Sequence, residues 1–226
     1  RAQDLDHPPS LALAHLCSGL LHLLLGRDTA TARNHGIAMD ALTEVRRFYD
    51  GFVDLLIEQD PSAALAWAEK LKTDSAWLTV GSGVGQASYM LVQAQTLAGA
   101  GQAGMGLQVI DRAMTWIEET GVRTLEAAVW RTRGELLLAL TPSSSPKGGG
   151  ENEESEACFL HALEVARDQG ARWLELRAAV SLARLWQAQG RRDQARELLA
   201  PIYNWFTEGF DAVDLVEAKA LLAELA

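Results

Sequence analysis

Cysteine is scarce in this sequence, and its scarcity excludes two classes of small, cross-linked domain. The 226 residues contain two cysteines, Cys17 and Cys158, which are too few and too far apart for a disulfide framework or a four-thiolate zinc site. A reducing compartment is the simplest interpretation, so we expect a cytoplasmic protein. Aromatic residues make up only 7% of the chain, whereas 48% is apolar, which is typical of a globular chain rich in Ala and Leu.

Positive charge is also in short supply. Twenty Lys and Arg residues stand against 30 Asp and Glu residues, which gives a net charge of −10 at pH 7, and no local basic stripe offsets it. A nucleic-acid duplex or an anionic membrane surface repels such a chain. The sequence therefore predicts neither nucleic acid nor membrane as a partner.

Long apolar runs are missing as well. The most apolar segment near the start, residues 11–25, is interrupted by two histidines, a serine and a glycine, and it is too short to span a bilayer. No basic segment precedes it, which argues against a signal peptide. Because the sequence begins at Arg1 rather than at Met, we expect it to be a fragment or a processed form of a longer chain.

What the sequence does contain is helical periodicity. Apolar residues recur at three-and-four spacing through almost every segment, and strict alternation is rare, which predicts an all-α protein. Glycines that follow the apolar runs are expected to end helices, and these are Gly101, Gly121, Gly170 and Gly190. The predicted helices cover residues 11–25, 29–47, 49–59, 61–72, 86–100, 105–120, 125–140, 153–169, 173–189, 193–206 and 214–225.

A repeat is visible in the second half of the chain. One class of helix carries a small residue between large ones, and the helix after it carries the complementary pattern. The central positions are Ala94, Gly134 and Ala183 in the first helices and Ile110, Phe159 and Leu199 in the second. Gly134 follows Ala94 by 40 residues and Ala183 follows Gly134 by 49 residues, so the second spacing contains nine extra residues.

The extra residues fall in segment 141–152, which is rich in Ser, Pro and Gly and is predicted to be a mobile insertion in a turn. Helix pairs with two apolar faces bury them by stacking. We therefore predict an all-α, right-handed superhelical solenoid of stacked antiparallel helix pairs over residues 1–226. Residues 1–72 form divergent pairs, 86–208 the best-formed repeats, and 211–226 a capping helix.

The helix pairs resemble tetratricopeptide repeats, through Trp130, Gly134 and Leu137 in one helix and Phe159 and Ala162 in the next. More specifically, the stretches 156–159, 173–186 and 201–222 are similar to the C-terminal repeat region of bacterial adenylate/guanylate cyclase-type proteins that carry a central signalling ATPase module. This resemblance implies a regulatory or partner-binding arm of a multidomain signalling protein. It implies no catalysis in this segment, because nucleotide chemistry in such proteins belongs to domains N-terminal to the repeats.

No catalytic or metal-binding motif is complete. Segment 81–86, Gly-Ser-Gly-Val-Gly-Gln, is placed like a phosphate loop, but it lacks the Gly-Lys-Ser/Thr element and an acidic residue about twenty positions on, so we interpret it as an inter-repeat loop. His15 and His22 share a helical face near Cys17, and we interpret them as packing residues. The sequence therefore predicts a protein that is not an enzyme and has no metal or cofactor of its own.

Tryptophan could in principle form a binding surface, but its positions favour packing roles. Trp130 and Trp186 occupy core positions of the repeat. Trp205 follows Pro201, which removes a backbone donor inside a helix and is expected to bend it. We interpret segment 203–206 as the hinge by which the capping helix folds back.

The first helices of stacked pairs line the concave groove of a solenoid, and their polar positions predict the binding residues. These are Gln95, Arg131, Glu135, Arg177, Arg184 and Gln187. The three arginines would form a cationic track suited to a carboxylate, a phosphate or an acidic segment of a protein or peptide partner. Two alternatives remain: the arginines pair with Glu135, Glu175 and similar residues as a solvated wall, or the solenoid senses a small-molecule effector. Attached N-terminal cyclase and ATPase domains are the partners that the resemblance implies.

Overall fold

The computed structural model describes residues 83–140 and 150–226, which lie within one compact unit, Ser82–Ala226. These residues form seven helices, and the described part contains no strand. The helices are α1 (Gly83–Gly99), α2 (Ala103–Thr120), α3 (Glu126–Leu140), α4 (Gly150–Asp168), α5 (Arg172–Ala188), α6 (Arg192–Asn204) and α7 (Val213–Glu224). The all-α prediction is therefore confirmed for this part of the chain.

Several predictions concern residues outside the described ranges. They are the four helices predicted over residues 11–72, the divergent pairs at 1–72, the packing roles of His15, Cys17 and His22, and the insertion over residues 141–149. Two predicted boundaries within the described ranges are wrong. Helix α1 begins at Gly83, so most of the supposed glycine loop is helical, and α4 begins at Gly150, inside the segment predicted to be mobile.

The predicted helix-ending glycines adopt the backbone conformation that their role requires. Gly101 has φ 71° and Gly190 has φ 79°, in the left-handed region that side chains with a Cβ rarely enter. At the first turn Gly101 donates to the carbonyl of Ala98, and the next residue donates to that of Leu97, at 3.0 and 2.8 Å. The same pair of hydrogen bonds follows at Gly190. This is the Schellman ending of a helix, and it recurs where the repeat predicts it.

Neighbouring helices approach closely at the predicted small residues. A Cβ on Gly134 of α3 would lie 2.5 Å from Cε1 of Phe159 on α4, and a Cβ on Gly106 of α2 would lie 2.7 Å from Cδ2 of Leu136 on α3. Phe159 and Leu136 are both buried. The absence of a side chain at each glycine is therefore what allows the facing side chain to fill the interface.

Each helix packs on its neighbours in sequence, and the odd-numbered helices also pack on one another. Helix α3 contacts α1, α5 contacts α3, and α7 contacts α5. The last four helices share a continuous core in which Phe159, Leu176, Leu182, Leu199 and Leu215 are almost fully buried. Burial of this apolar surface, at about 25 cal/mol per Å², supplies the main stabilisation of the helix packing.

The segment around Trp205 corrects one prediction. Helix α6 continues through Pro201 to Asn204, and the chain reverses in residues 205–212, where Gly209 has φ 73°. The connection to α7 therefore begins within the predicted hinge and extends beyond it to residue 212. Trp205 itself is 56% exposed. Trp130 and Trp186 pack as predicted against the core, although both are only partly buried.

Candidate partner-binding face

Two equivalent hydrogen bonds join successive odd-numbered helices. Gln95 Nε2 on α1 donates to Thr132 Oγ1 on α3 at 3.3 Å, and Ser181 Oγ on α5 donates to Glu135 Oε1 on α3 at 2.9 Å. Glu135 follows Gln95 by 40 residues and Ser181 follows Thr132 by 49, which are the spacings of the repeat. Gln95 and Glu135 therefore occupy one repeat position, Thr132 and Ser181 occupy another, and the same contact between the two positions occurs twice. We call these four residues the polar row.

Arg131 lies beside the polar row on α3. Its guanidinium forms an ion pair with Glu135, one turn further along the same helix. The Arg131 side chain is 16% exposed, and its buried Nε has no hydrogen-bond partner among the described residues. Glu135 is consequently shared between the Arg131 cation and the Ser181 hydroxyl, which fixes it between α3 and α5.

Arg177 has an internal partner that the sequence did not indicate. Its Nε and Nη2 lie 2.8 and 2.7 Å from Oδ2 of Asp214 on α7, and the indole Nε1 of Trp173 donates to the same oxygen at 2.7 Å. Asp214 is only 7% exposed. Helical periodicity alone would place Asp214 on the polar side of the capping helix, but three N–H donors from α5 make its burial possible.

The two remaining predicted residues of α5 also face α7. Arg184 Nη2 lies 3.9 Å from Oε2 of Glu217, and Gln187 Nε2 donates to Oε2 of Glu224 at 3.1 Å. Arg184 is the more accessible arginine, with 57% of its side chain exposed. Carboxylate groups of α7 thus lie against all three α5 residues that the sequence predicted as binding residues.

The cationic track is therefore not a run of uncompensated positive charge. Arg131, Arg177 and Arg184 each have a carboxylate within 4.0 Å, so the pairing alternative describes them better. Glu135 is a partner as that alternative expects, since it pairs with Arg131, but Glu175 is not a partner of these arginines. Glu175 of α5 pairs instead with Arg167 and Arg172 at 2.8 and 2.7 Å.

Two further ionic clusters tie the even-numbered helices to their neighbours. Arg191 Nη1 donates to both oxygens of Glu156 at 2.9 Å, its guanidinium carbon lies 4.5 Å from the ring centroid of Trp186, and Trp186 Nε1 donates to the same carboxylate. Arg133 lies 2.9 Å from Glu154 and 3.5 Å from the Cys158 sulfur. Neither cluster was predicted, because each arginine is 21 or more residues away in sequence from its glutamate.

The Cys158 thiol is the buried nucleophile of the described chain. Burial raises its pKa, and the nearby Arg133 guanidinium opposes that rise without cancelling it. For Arg133, burial acts to lower the pKa, but hydrogen bonds to Glu154 and Cys158 outweigh it and the pKa is raised. The thiol is therefore protonated at neutral pH, which leaves it a poor nucleophile.

Within residues 83–140 and 150–226, no three His, Cys, Asp or Glu side chains are grouped so that they could hold a metal ion. No helix in those ranges has both the length and the apolar character needed to cross a membrane. No known protein-family profile matches the chain, and no curated protein matches it significantly. The likeness to cyclase-associated repeat regions therefore stays a hypothesis.

Proposed function

We propose that the protein is a non-catalytic protein-interaction and regulatory arm, built as a right-handed superhelical solenoid of tetratricopeptide-like helix pairs. The repeated hydrogen bond of the polar row carries this proposal, since Gln95 meets Thr132 as Glu135 meets Ser181. A repeated contact between alternate helices is what stacking of equivalent pairs requires. The recurring Schellman turns and the contacts of α1 with α3, α3 with α5, and α5 with α7 support the same arrangement.

The binding face in this proposal runs along α1, α3 and α5. Gln95, Arg131, Glu135 and Arg184 supply amide, guanidinium and carboxylate groups that are partly or largely accessible. Such a mixture suits hydrogen bonding to a protein or peptide segment. Arg177 contributes to this face by holding α7 against α5, because its guanidinium pairs with Asp214 of α7.

The resemblance to cyclase-type proteins supports a regulatory setting for this face. Bound segments would stabilise one curvature of the superhelix, and attached N-terminal cyclase or ATPase domains would respond to that curvature. The effect requires only that a partner binds one curvature more tightly than another. The difference in binding free energy between the two curvatures is then the largest shift in their equilibrium that the partner can produce.

The test is capture of a partner by the intact parent protein, followed by a matched pair of charge reversals. Arg184→Glu is expected to weaken capture at least tenfold, whereas Arg196→Glu, at an exposed arginine of α6, is expected to leave it unchanged. Arg177→Glu is unsuitable because it would place two carboxylates together at a buried site. Equal capture by all well-folded variants would contradict the assignment of the face, and a metabolite that raises the melting temperature in place of a protein partner would favour an effector sensor.

A further inference from the structure

A groove separate from the polar row lies where the end of α4, the start of α5 and helix α6 meet. Its volume is about 290 Å³, and it is open to solvent. The apolar part consists of Leu198, Pro201, Ile202 and Trp205, and the charged part of Arg167, Arg172, Glu175 and Glu197. The proposed function uses none of these residues.

The two arginines of this groove are held in place by the buried carboxylate of Glu175. Glu175 is 4% exposed at its side chain, and its two carboxylate oxygens accept from Arg167 and Arg172 at 2.8 and 2.7 Å. Within the described part of the chain, Glu175 is the hydrogen-bond partner of both guanidiniums. Each arginine is about half exposed and therefore keeps further N–H donors directed at solvent.

An exposed indole adjoins these cations. The guanidinium carbon of Arg172 lies 5.3 Å from the ring centroid of Trp205, and Trp205 packs edge-on against Phe206 at 5.2 Å. Exposed tryptophan beside arginine is the composition of an interface hot spot, because each supplies a large contact area with a fixed orientation. Trp205 itself is 56% exposed, so its ring is accessible to a partner.

We propose that this groove binds a protein segment in which a carboxylate adjoins a large apolar side chain. The carboxylate would accept from Arg167 and Arg172, and the apolar side chain would cover Leu198, Pro201 and Trp205. Fork-shaped pairing between guanidinium and carboxylate gives such a contact its orientation.

Two other ligand classes fit the groove less well. A nucleic-acid strand could stack a base on Trp205, but its row of phosphates would meet Glu197 and a chain whose net charge is −10. Small-molecule sites are commonly enclosed cavities of about 300–1,000 Å³ that bury most of the ligand. An open groove of about 290 Å³ that is lined by the exposed ring of Trp205 suits one anchor of a longer segment instead.

The test is selection of random 12-residue peptides on the full chain, followed by anisotropy titration of the enriched peptides. The enriched sequences are expected to place Asp or Glu beside Leu, Phe or Trp. Affinity is expected to fall at least tenfold in Trp205→Ala and in Arg172→Gln, which leaves Arg167 to pair with Glu175. Arg112→Gln, at an exposed arginine of α2 that does not line the groove, is the control and is expected to change affinity less than twofold.

A further variant gives a gain that a merely structural role would not produce. Glu197→Gln removes the exposed negative charge of the groove and is expected to raise the affinity for an acidic peptide. The proposal is overturned if no peptide is enriched, if the enriched peptides lack a carboxylate, if Trp205→Ala and Arg172→Gln bind them no more weakly than Arg112→Gln does, or if an oligothymidine binds more tightly. Melting temperatures near that of the wild type verify that each variant is folded.

Discussion

Substitution of Gly134 by Ala probes the contact between α3 and α4, where an added Cβ would lie closer to a neighbouring atom than at any other described glycine. The new Cβ would lie 2.5, 2.9 and 3.0 Å from three atoms of the Phe159 ring, which is completely buried and has no flexible end to move aside. Overpacking of this kind costs about 1–3 kcal/mol, and the three close atoms place Gly134 at the upper end. Ala gains about 1 kcal/mol over Gly in helix propensity. The net expectation is a loss of about 2 kcal/mol in the free energy of unfolding.

Gly104→Ala on α2 is the matched control, because a Cβ there meets nothing within 4 Å. It is expected to leave the chain unchanged or more stable, by up to about 1 kcal/mol. Urea unfolding followed by circular dichroism measures both variants, with a constant slope showing that the unfolded state is unaffected. In a Phe159→Leu background the penalty at Gly134 should shrink. A Gly134→Ala protein as stable as the wild type would refute the packing argument.

Two further predictions concern buried polar groups. Asp214→Ala should lower the free energy of unfolding by about 3 kcal/mol in urea titrations, because it removes the acceptor that Arg177 and Trp173 share. Glu217→Ala, at the exposed ion pair with Arg184, should change it by less than about 0.5 kcal/mol. Equal effects of the two substitutions would contradict a stabilising role for the buried Arg177–Asp214 contact. In a Cys17→Ser background, Cys158 should resist a thiol reagent at pH 7 until urea is added. Since folding raises the pKa of this thiol, its contribution to stability is complete below the ordinary thiol pKa of about 8.5 and is lost as the pH rises beyond it. Rapid labelling of the native chain, or a pH dependence that persists in Cys158→Ala, would show this to be wrong.

Within residues 83–140 and 150–226, local chemistry was sufficient to predict the seven helices and the small residues at which they pack. Three-and-four periodicity indicates which face of a helix is apolar, and a glycine after an apolar run can adopt the left-handed conformation that ends a helix, as Gly101 and Gly190 do. The pairing of Gly134 with Phe159 was predictable for the same reason, because a small residue in one helix has to face a large residue in the next.

The ionic partners were not predictable from local pattern. Asp214 was assigned to the polar face of its helix because periodicity contains no information about a helix 37 residues earlier. The same limit explains why Glu175 was paired with the wrong arginines. The groove at Trp205 combines three helices, and no single segment contains its pattern.

The polar row also bears on how this chain tolerates changes in length. Ser181 contacts Glu135 as Thr132 contacts Gln95, although Glu135 and Ser181 are nine residues further apart in sequence than Gln95 and Thr132. The connection between α3 and α4 can thus be lengthened while the alignment of the helices on either side is kept. Closing a longer loop adds only about 0.6 kcal/mol for each doubling of its length. This connection is therefore a suitable insertion site for a fluorescent reporter or an entire folded domain, which would allow the protein to be followed inside cells.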